Sequence, residues 1–142
     1  MSSRKVSFHD VNIGDEIPSL TRGPLKRMQQ AWMSVALKDP HPLHVDEEFA
    51  RSVGFPTVAL SGAFPVGLLA AMFTNWAGIE NIKKFSVRLT AIIFPGDTLT
   101  CKGRVVKKWE EEGRGLAECE LTVENQRDQL VAAGRVVVLL WK

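Results

Sequence analysis

Two of the three histidines in this chain of 142 residues fall within one run of eight, Asp39-Pro40-His41-Pro42-Leu43-His44-Val45-Asp46. The same run holds two aspartates and two prolines. Imidazole as a side-chain type titrates near neutral pH, which suits it to taking a proton from water. A carboxylate turned toward it can orient that water or pass the proton on. Metal ligation is the rival chemistry, with His41, His44 and Asp46 as ligands, but the run lacks a known zinc spacing. An Asp–His pair in a loop can also be merely structural.

Spacing decides what this run can be. Pro40 and Pro42 each lack an N–H, fix φ, and push the preceding residue away from helix. The segment is therefore expected to be a stiffened loop. Asp39 and His44 would sit roughly 140° apart around a helix axis. In a strand they would point to opposite faces. Only an irregular loop, braced by its surroundings, can aim both at one point, and such loops are common seats of chemistry.

The elements that must hold this loop can be read around it. Residues 24–37 carry Leu25, Met28, Trp32, Val35 and Ala36 at helical spacing, with Pro24 in the expected first turn. Asp46 is placed to cap a two-turn helix over 47–53 that Gly54 stops. Ser61 is placed to cap a second helix running to about Trp76, with Gly78 beyond it and Pro65 in its first turn. That helix is apolar all round and should be buried on most sides. Its free N–H groups at the start can receive negative charge. Trp32, Met33, Met72, Phe73 and Trp76 are expected to be core before they are the lining of a pocket.

From residue 82 the hydrophobic period changes from 3.6 to 2. Phe85, Val87, Leu89 and Ala91 alternate with polar residues. So do Leu99, Cys101, Gly103 and Val105, and then Ala117, Cys119, Leu121 and Val123. Leu130–Leu140 is almost continuously apolar, as a strand buried on both faces would be. Pro95-Gly96-Asp97 and Asn125-Gln126-Arg127-Asp128 mark turns. A short strand or arm over 4–18 ends in a turn at Asn12-Ile13-Gly14-Asp15. Four strands at hairpin spacing after one buried helix predict an α+β domain, an antiparallel sheet wrapped around that helix.

Composition narrows the function classes. Apolar residues make up 45% and charged residues 24%, ordinary values for one globular domain over residues 1–142. A formal charge of +2 gives no case for nucleic acid or an anionic membrane. The longest apolar run is too short to span a bilayer. Residues 1–8 hold no apolar signal segment, so a cytoplasmic protein is expected. Cys101 and Cys119 are read as buried reduced thiols. His9 reads as a surface residue, and Lys83, Lys84 and Arg88 as a solvated basic face.

Several motifs together resemble the hotdog fold, and within it the MaoC-like, or (R)-specific, enoyl-CoA hydratase family. The family pattern is Gly-Asp-x-Asn-Pro-Leu-His, then Gly-Phe, a Pro-Ile-Ala-His-Gly helix start and a Pro-Gly-Asp-Thr-Leu turn. Here stand Asp39, Pro42, Leu43 and His44, then Ala50, Gly54-Phe55, Gly62, Pro95-Gly96-Asp97-Thr98-Leu99 and Val123-Glu124-Asn125-Gln126. The departures are Leu37-Lys38 before the aspartate, His41 for the asparagine, Val58 for the proline and Ser61 for the histidine.

The resemblance implies reversible syn addition of water to a trans-2-enoyl thioester, giving an (R)-3-hydroxyacyl product. Asp39 and His44 would be the catalytic pair, and the Gly62 N–H would meet the thioester oxygen. His41 and Ser61 would contact substrate. The partner would be an acyl-CoA or acyl-carrier-protein thioester of fatty acid metabolism, with no cofactor and no metal. A homodimer or higher homo-oligomer is implied. The alternatives are a hotdog thioesterase, disfavoured by the lack of Asp or Glu between Ser61 and Ile79, and a non-catalytic acyl-binding subunit of a hetero-oligomer.

Overall fold

The computed structural model describes residues 6–142. The part of the N-terminal arm over residues 1–5 lies outside them. Its elements run β1 (Glu16–Arg22), α1 (Arg27–Leu37), α2 (Glu47–Ser52), α3 (Ala63–Ala77), β2 (Ile82–Leu89), β3 (Leu99–Glu111), β4 (Arg114–Glu124) and β5 (Leu130–Leu140). A 3-10 turn, Pro42–His44, lies between α1 and α2. The strands form one antiparallel sheet in the order β1-β3-β4-β5-β2. The sheet wraps α3, the α+β hotdog arrangement expected from the change of hydrophobic period.

The core lies between the sheet's inner face and α3. Leu69, Met72, Phe73 and Ala77 of the helix pack against Leu99, Cys101, Cys119, Leu121, Val136 and Val138 of the strands. Alternation explains which strand residues arrive there: Leu99, Cys101, Gly103 and Val105 are buried in turn along β3. Phe73 meets Phe85 edge to face at 4.8 Å between centroids. One flank of α3 is less covered than its sequence implied. Gly67 is exposed, and Val66, Ala70 and Ala71 are only half-buried.

Three expectations need correction. The strand expected before the Asn12–Asp15 turn follows it instead, because residues 16–22 pair with β3. β2 and β3 do not form a hairpin: β2 pairs with β5 at the far edge of the sheet. The Pro95-Gly96-Asp97 turn has other work. Gly96 N–H donates to the Leu25 carbonyl at 2.7 Å, and Leu25 N–H donates to the Asp97 carbonyl at 2.8 Å. The backbone groups of this turn thus anchor the approach to α1.

The third correction concerns α1. Pro24 precedes the helix rather than opening it. Trp32, expected to be core, faces outward together with the other apolar residues at its spacing: Met28, Trp32 and Val35 are 60%, 68% and 80% exposed. Gln30 and Ser34 are the buried residues of this helix. They can turn inward because their polar atoms are satisfied there, and a buried polar group costs little once hydrogen-bonded. Of the other candidate pocket residues, Met72 and Phe73 are core, while Met33 and Trp76 are half-buried.

Candidate active site

The eight-residue loop is built as a short turn with a cap at each end. His41 Nδ1 accepts from Leu43 N–H at 3.1 Å, opening the 3-10 turn that carries His44. Asp46 Oδ1 accepts from Phe49 N–H at 3.0 Å and caps α2. His41 performs here what a short polar side chain does in an Asx turn. Its ring also packs near His44 and Phe49, with centroids 5.9 and 6.1 Å away.

Both ends of the loop are tied to neighbouring elements. α1 ends with Lys38 in the left-handed region at φ 53. The next residue, Asp39, donates its N–H to the Ser34 carbonyl at 2.9 Å. At the other end, Ala59 N–H donates to the Leu43 carbonyl at 3.1 Å. The Ala59 carbonyl accepts from His44 Nδ1 at 2.7 Å. A carbonyl can only accept, so Nδ1 carries the proton and Nε2 of the neutral ring carries the lone pair. That Nε2 lies 3.8 Å from Asp39 Oδ2. The gap is too long for a direct hydrogen bond and suits a water bonded to both atoms. His44 is mostly buried and Asp39 about half exposed, so the pair sits at a surface opening.

A second brace lies beside the pair. Glu47 accepts from Thr57 Oγ1 at 2.9 Å and pairs with Arg27 at 2.9 Å, joining α2, the 55–60 connector and α1. The Thr57 hydroxyl, with Arg27 alongside, holds the Glu47 carboxyl below the usual carboxylate range. The three side chains weighed as metal ligands each use one polar atom in holding the loop. His41 and Asp46 cap turns, and His44 is bonded to Ala59. No group of three or more His, Cys, Asp or Glu among the described residues could hold a metal ion.

The start of α3 shows where its free donor lies. Ala59 N–H goes to Leu43, Leu60 N–H to the Ile93 carbonyl, and Phe64 N–H to the Ser61 carbonyl. Ser61 N–H goes to Gln30 Oε1 at 2.6 Å, and Ala63 N–H goes to Ser61 Oγ at 3.1 Å. Pro65 has no N–H. Among the described residues, the Gly62 N–H has no acceptor. Gly62 has ordinary right-handed backbone angles, so its need for glycine is spatial. A Cβ there would run into Leu89 Cδ1. An apolar cavity of about 310 Å³ opens at this point, lined by Gly62, Leu60, Pro65, Leu89 and the 90–93 stretch.

The structure therefore brings Asp39 and His44 together, and sets Gly62 against an apolar cavity. The two places are joined by the chain from Ala59 to Gly62, a span of at most about 11 Å. Asp39 and His44 do not line that cavity. Ser61 is buried, with both its N–H and Oγ used in holding the turn. His41 is exposed, and its Nε2 has no hydrogen-bond partner among the described residues. Gln30, Ser34, Ala59 and Thr57 were not singled out by the sequence. The only sequence signal for Gln30 and Ser34 is their spacing of four on the polar side of an amphipathic helix.

Residues 11–127 match the MaoC like domain. The chain belongs to the MaoC-like family. It is 35% identical over 102 residues to the peroxisomal hydratase-dehydrogenase-epimerase of Saccharomyces cerevisiae, an alignment covering 71% of this chain and 10% of that protein. It is 32% identical over 101 residues to the peroxisomal enoyl-CoA hydratase 2 of Arabidopsis thaliana, covering 69% of this chain and 30% of the relative. This MaoC-like chain thus spans a tenth to about a third of these curated relatives. A solved structure of the monoamine oxidase regulatory protein from Archaeoglobus fulgidus is 26% identical, with a TM-score of 0.82 over 100% of this chain and 99% of that one. No helix among the described residues is long and apolar enough to cross a membrane.

Proposed function

We propose that this MaoC-like protein is an (R)-specific 2-enoyl-CoA hydratase, or in reverse a 3-hydroxyacyl-thioester dehydratase. The observation that carries the proposal is the bond from His44 Nδ1 to the Ala59 carbonyl, which leaves Nε2 with its lone pair 3.8 Å from Asp39 Oδ2. The hydratase names of the related proteins support the same reaction class.

In this reading one water sits between His44 Nε2 and Asp39 Oδ2. His44 takes a proton from it as the hydroxyl adds to Cβ of the enoyl thioester. Charge develops on the thioester oxygen, and the open Gly62 N–H donates a hydrogen bond to it there. Such a donor is worth roughly 3 kcal/mol of barrier in enzymes where one has been removed. The imidazolium passes that proton from Nε2 to the neighbouring Asp39 carboxylate, which delivers it to Cα, so one H₂O is added in total and both residues return to their starting forms. Because a single water serves both steps, H and OH arrive on the same face of the alkene. The Ser61 hydroxyl, which accepts from Ala63, keeps its own proton to donate near the thioester. His41 turns its free ring edge outward at the site's rim.

The substrate is an acyl-CoA or acyl-carrier-protein thioester, and the apolar cavity beside Gly62 suits its thioester arm or acyl chain. The protein works as a homodimer. The support is the open edge of β2 together with the half-covered apolar flank of α3, both of which a second copy can cover. The test is loss of the conjugated absorbance of crotonyl-CoA and longer 2-enoyl-CoAs, followed by chiral analysis of the 3-hydroxyacyl product. Turnover of an enoyl-CoA to the (R)-product supports the assignment. Free thiol from saturated acyl-CoA without hydration would replace it with a thioesterase.

A further inference from the structure

We propose that Gln30 is a positioning residue for this site, a buried strut that fixes the Ser61–Gly62 start of α3 relative to Asp39. The inference rests on the hydratase reading for its catalytic consequence, and on geometry alone for the strut.

Gln30 is 1% exposed, the deepest polar side chain of α1. Its amide uses both ends. Oε1 accepts from Ser61 N–H at 2.6 Å, and Nε2 donates to Ser34 Oγ at 2.9 Å. The carbonyl of the same Ser34 accepts from Asp39 N–H at 2.9 Å. An almost fully buried chain of hydrogen bonds therefore runs from the α3 start, through Gln30 and Ser34, to the backbone of Asp39. His44 is tied to the same connector two residues before Ser61, through Ala59.

A glutamine at this depth has to be explained. α1 has apolar residues that could have faced the core, yet Met28, Trp32 and Val35 face outward. What the glutamine supplies is an acceptor for the buried Ser61 N–H, which would otherwise be an orphan donor. Once that N–H is engaged, Gly62 keeps the one open N–H between Ala59 and Phe64. Without Gln30, the 60–61 peptide can rotate to find another acceptor, and the direction of the next N–H, that of Gly62, changes with it. Gln30 touches no reacting atom in this scheme. It acts by holding the donor that does.

The experiment compares Gln30→Met, which keeps volume and removes both bonds, with Gln30→Glu. A protonated glutamate offers the same acceptor and donor as glutamine, and an ionised one accepts from both Ser61 N–H and the Ser34 hydroxyl, so both bonds survive. Two readouts are taken: amide hydrogen exchange at Ser61, and kcat and KM for an enoyl-CoA. Gln30→Met should lose protection at Ser61 and lower kcat at least about tenfold with little change in KM, as misplacement of a transition-state donor does. Gln30→Glu should keep protection and stay within about threefold of the native kcat. Native kcat in a Gln30→Met protein with an unprotected Ser61 amide would overturn the positioning role. So would unchanged Ser61 protection, or a loss in Gln30→Glu as deep as in Gln30→Met. If Gln30→Met does not fold, Gln30→Asn, polar but one methylene too short to reach Ser61 N–H, takes its place with the same readouts and the same overturning results. A native protein that hydrates no enoyl-CoA overturns the hydratase reading instead, and Ser61 exchange then judges the strut by itself.

Discussion

The carbonyl of Ala59 lies 2.7 Å from Nδ1 of His44, and the N–H of the same Ala59 reaches back to the Leu43 carbonyl at 3.1 Å. One residue of a connector thus holds both the turn that carries the imidazole and the tautomer of the imidazole itself. The ring atom left available is Nε2, on the side of Asp39. Both bonds are made by the backbone of residue 59, and its methyl side chain is buried at 1% exposure.

Removing either member of the pair should stop chemistry and spare the fold. Asp39→Asn and His44→Ala are each expected to lower kcat/KM for enoyl-CoA hydration by about 10²–10⁴. Asp39 is half exposed and its backbone N–H bond does not depend on the carboxylate, so Asp39→Asn should melt near the native temperature. Steady-state rates and a thermal melt check both halves. Native rates in both variants would show that the pair is structural.

Gly62→Ala should act through space rather than backbone strain. The new methyl meets the tip of Leu89, a half-exposed side chain that can swing aside, so stability should change little. The methyl and the displaced Leu89 then crowd the cavity beside the Gly62 N–H. A rise in KM or fall in kcat is expected, and Leu89→Ala added to Gly62→Ala should recover part of it. Enoyl-CoA kinetics on the single and double variants test this, and no effect of Gly62→Ala would remove the glycine from the site.

His41 should matter as a cap. His41→Ala removes the acceptor for Leu43 N–H and is expected to cost about 1 kcal/mol. His41→Asn puts back a side-chain acceptor at the same place in the turn. Chemical denaturation should show the alanine variant weakened and the asparagine variant restored. An equal loss in both would mean that the His41 ring contributes through its packing on Phe49.

The two thiols set a limit at alkaline pH. Burial pushes Cys101 up to about 11 and Cys119 up to about 12, from an ordinary value of 9.0. Above pH 9 the unfolded chain releases these protons while the folded chain keeps them. The folded state then binds more protons, so stability is complete below pH 9 and falls as pH rises toward 12. Melting temperatures from pH 7 to 11 should show the decline, and Cys101→Ala with Cys119→Ala should flatten it. A thiol reagent should label neither cysteine in the native protein and both after denaturation.

The sequence by itself determined what depends on local pattern. The apolar helix, which starts at Ala63 with Gly62 rather than Ser61 at its cap position, the alternating strands, the Asp46 cap and the Gly54 stop are set by periodicity and backbone preference within a few residues. The identity of Asp39, His44 and Gly62 as candidates was likewise legible, from proline stiffening and from motif spacing. Only the tertiary structure decided which face of α1 turned inward, where β2 joined the sheet, and which backbone N–H was left open. Hydrophobic pattern favoured the Met28–Trp32–Val35 face of α1, but the buried Ser61 N–H needed an acceptor, and Gln30 on the opposite face supplied it. A partner thirty-one residues away leaves no trace in local spacing. Hydrogen-bond demand inside a core is set by what packs together, and that exists only once the chain has folded.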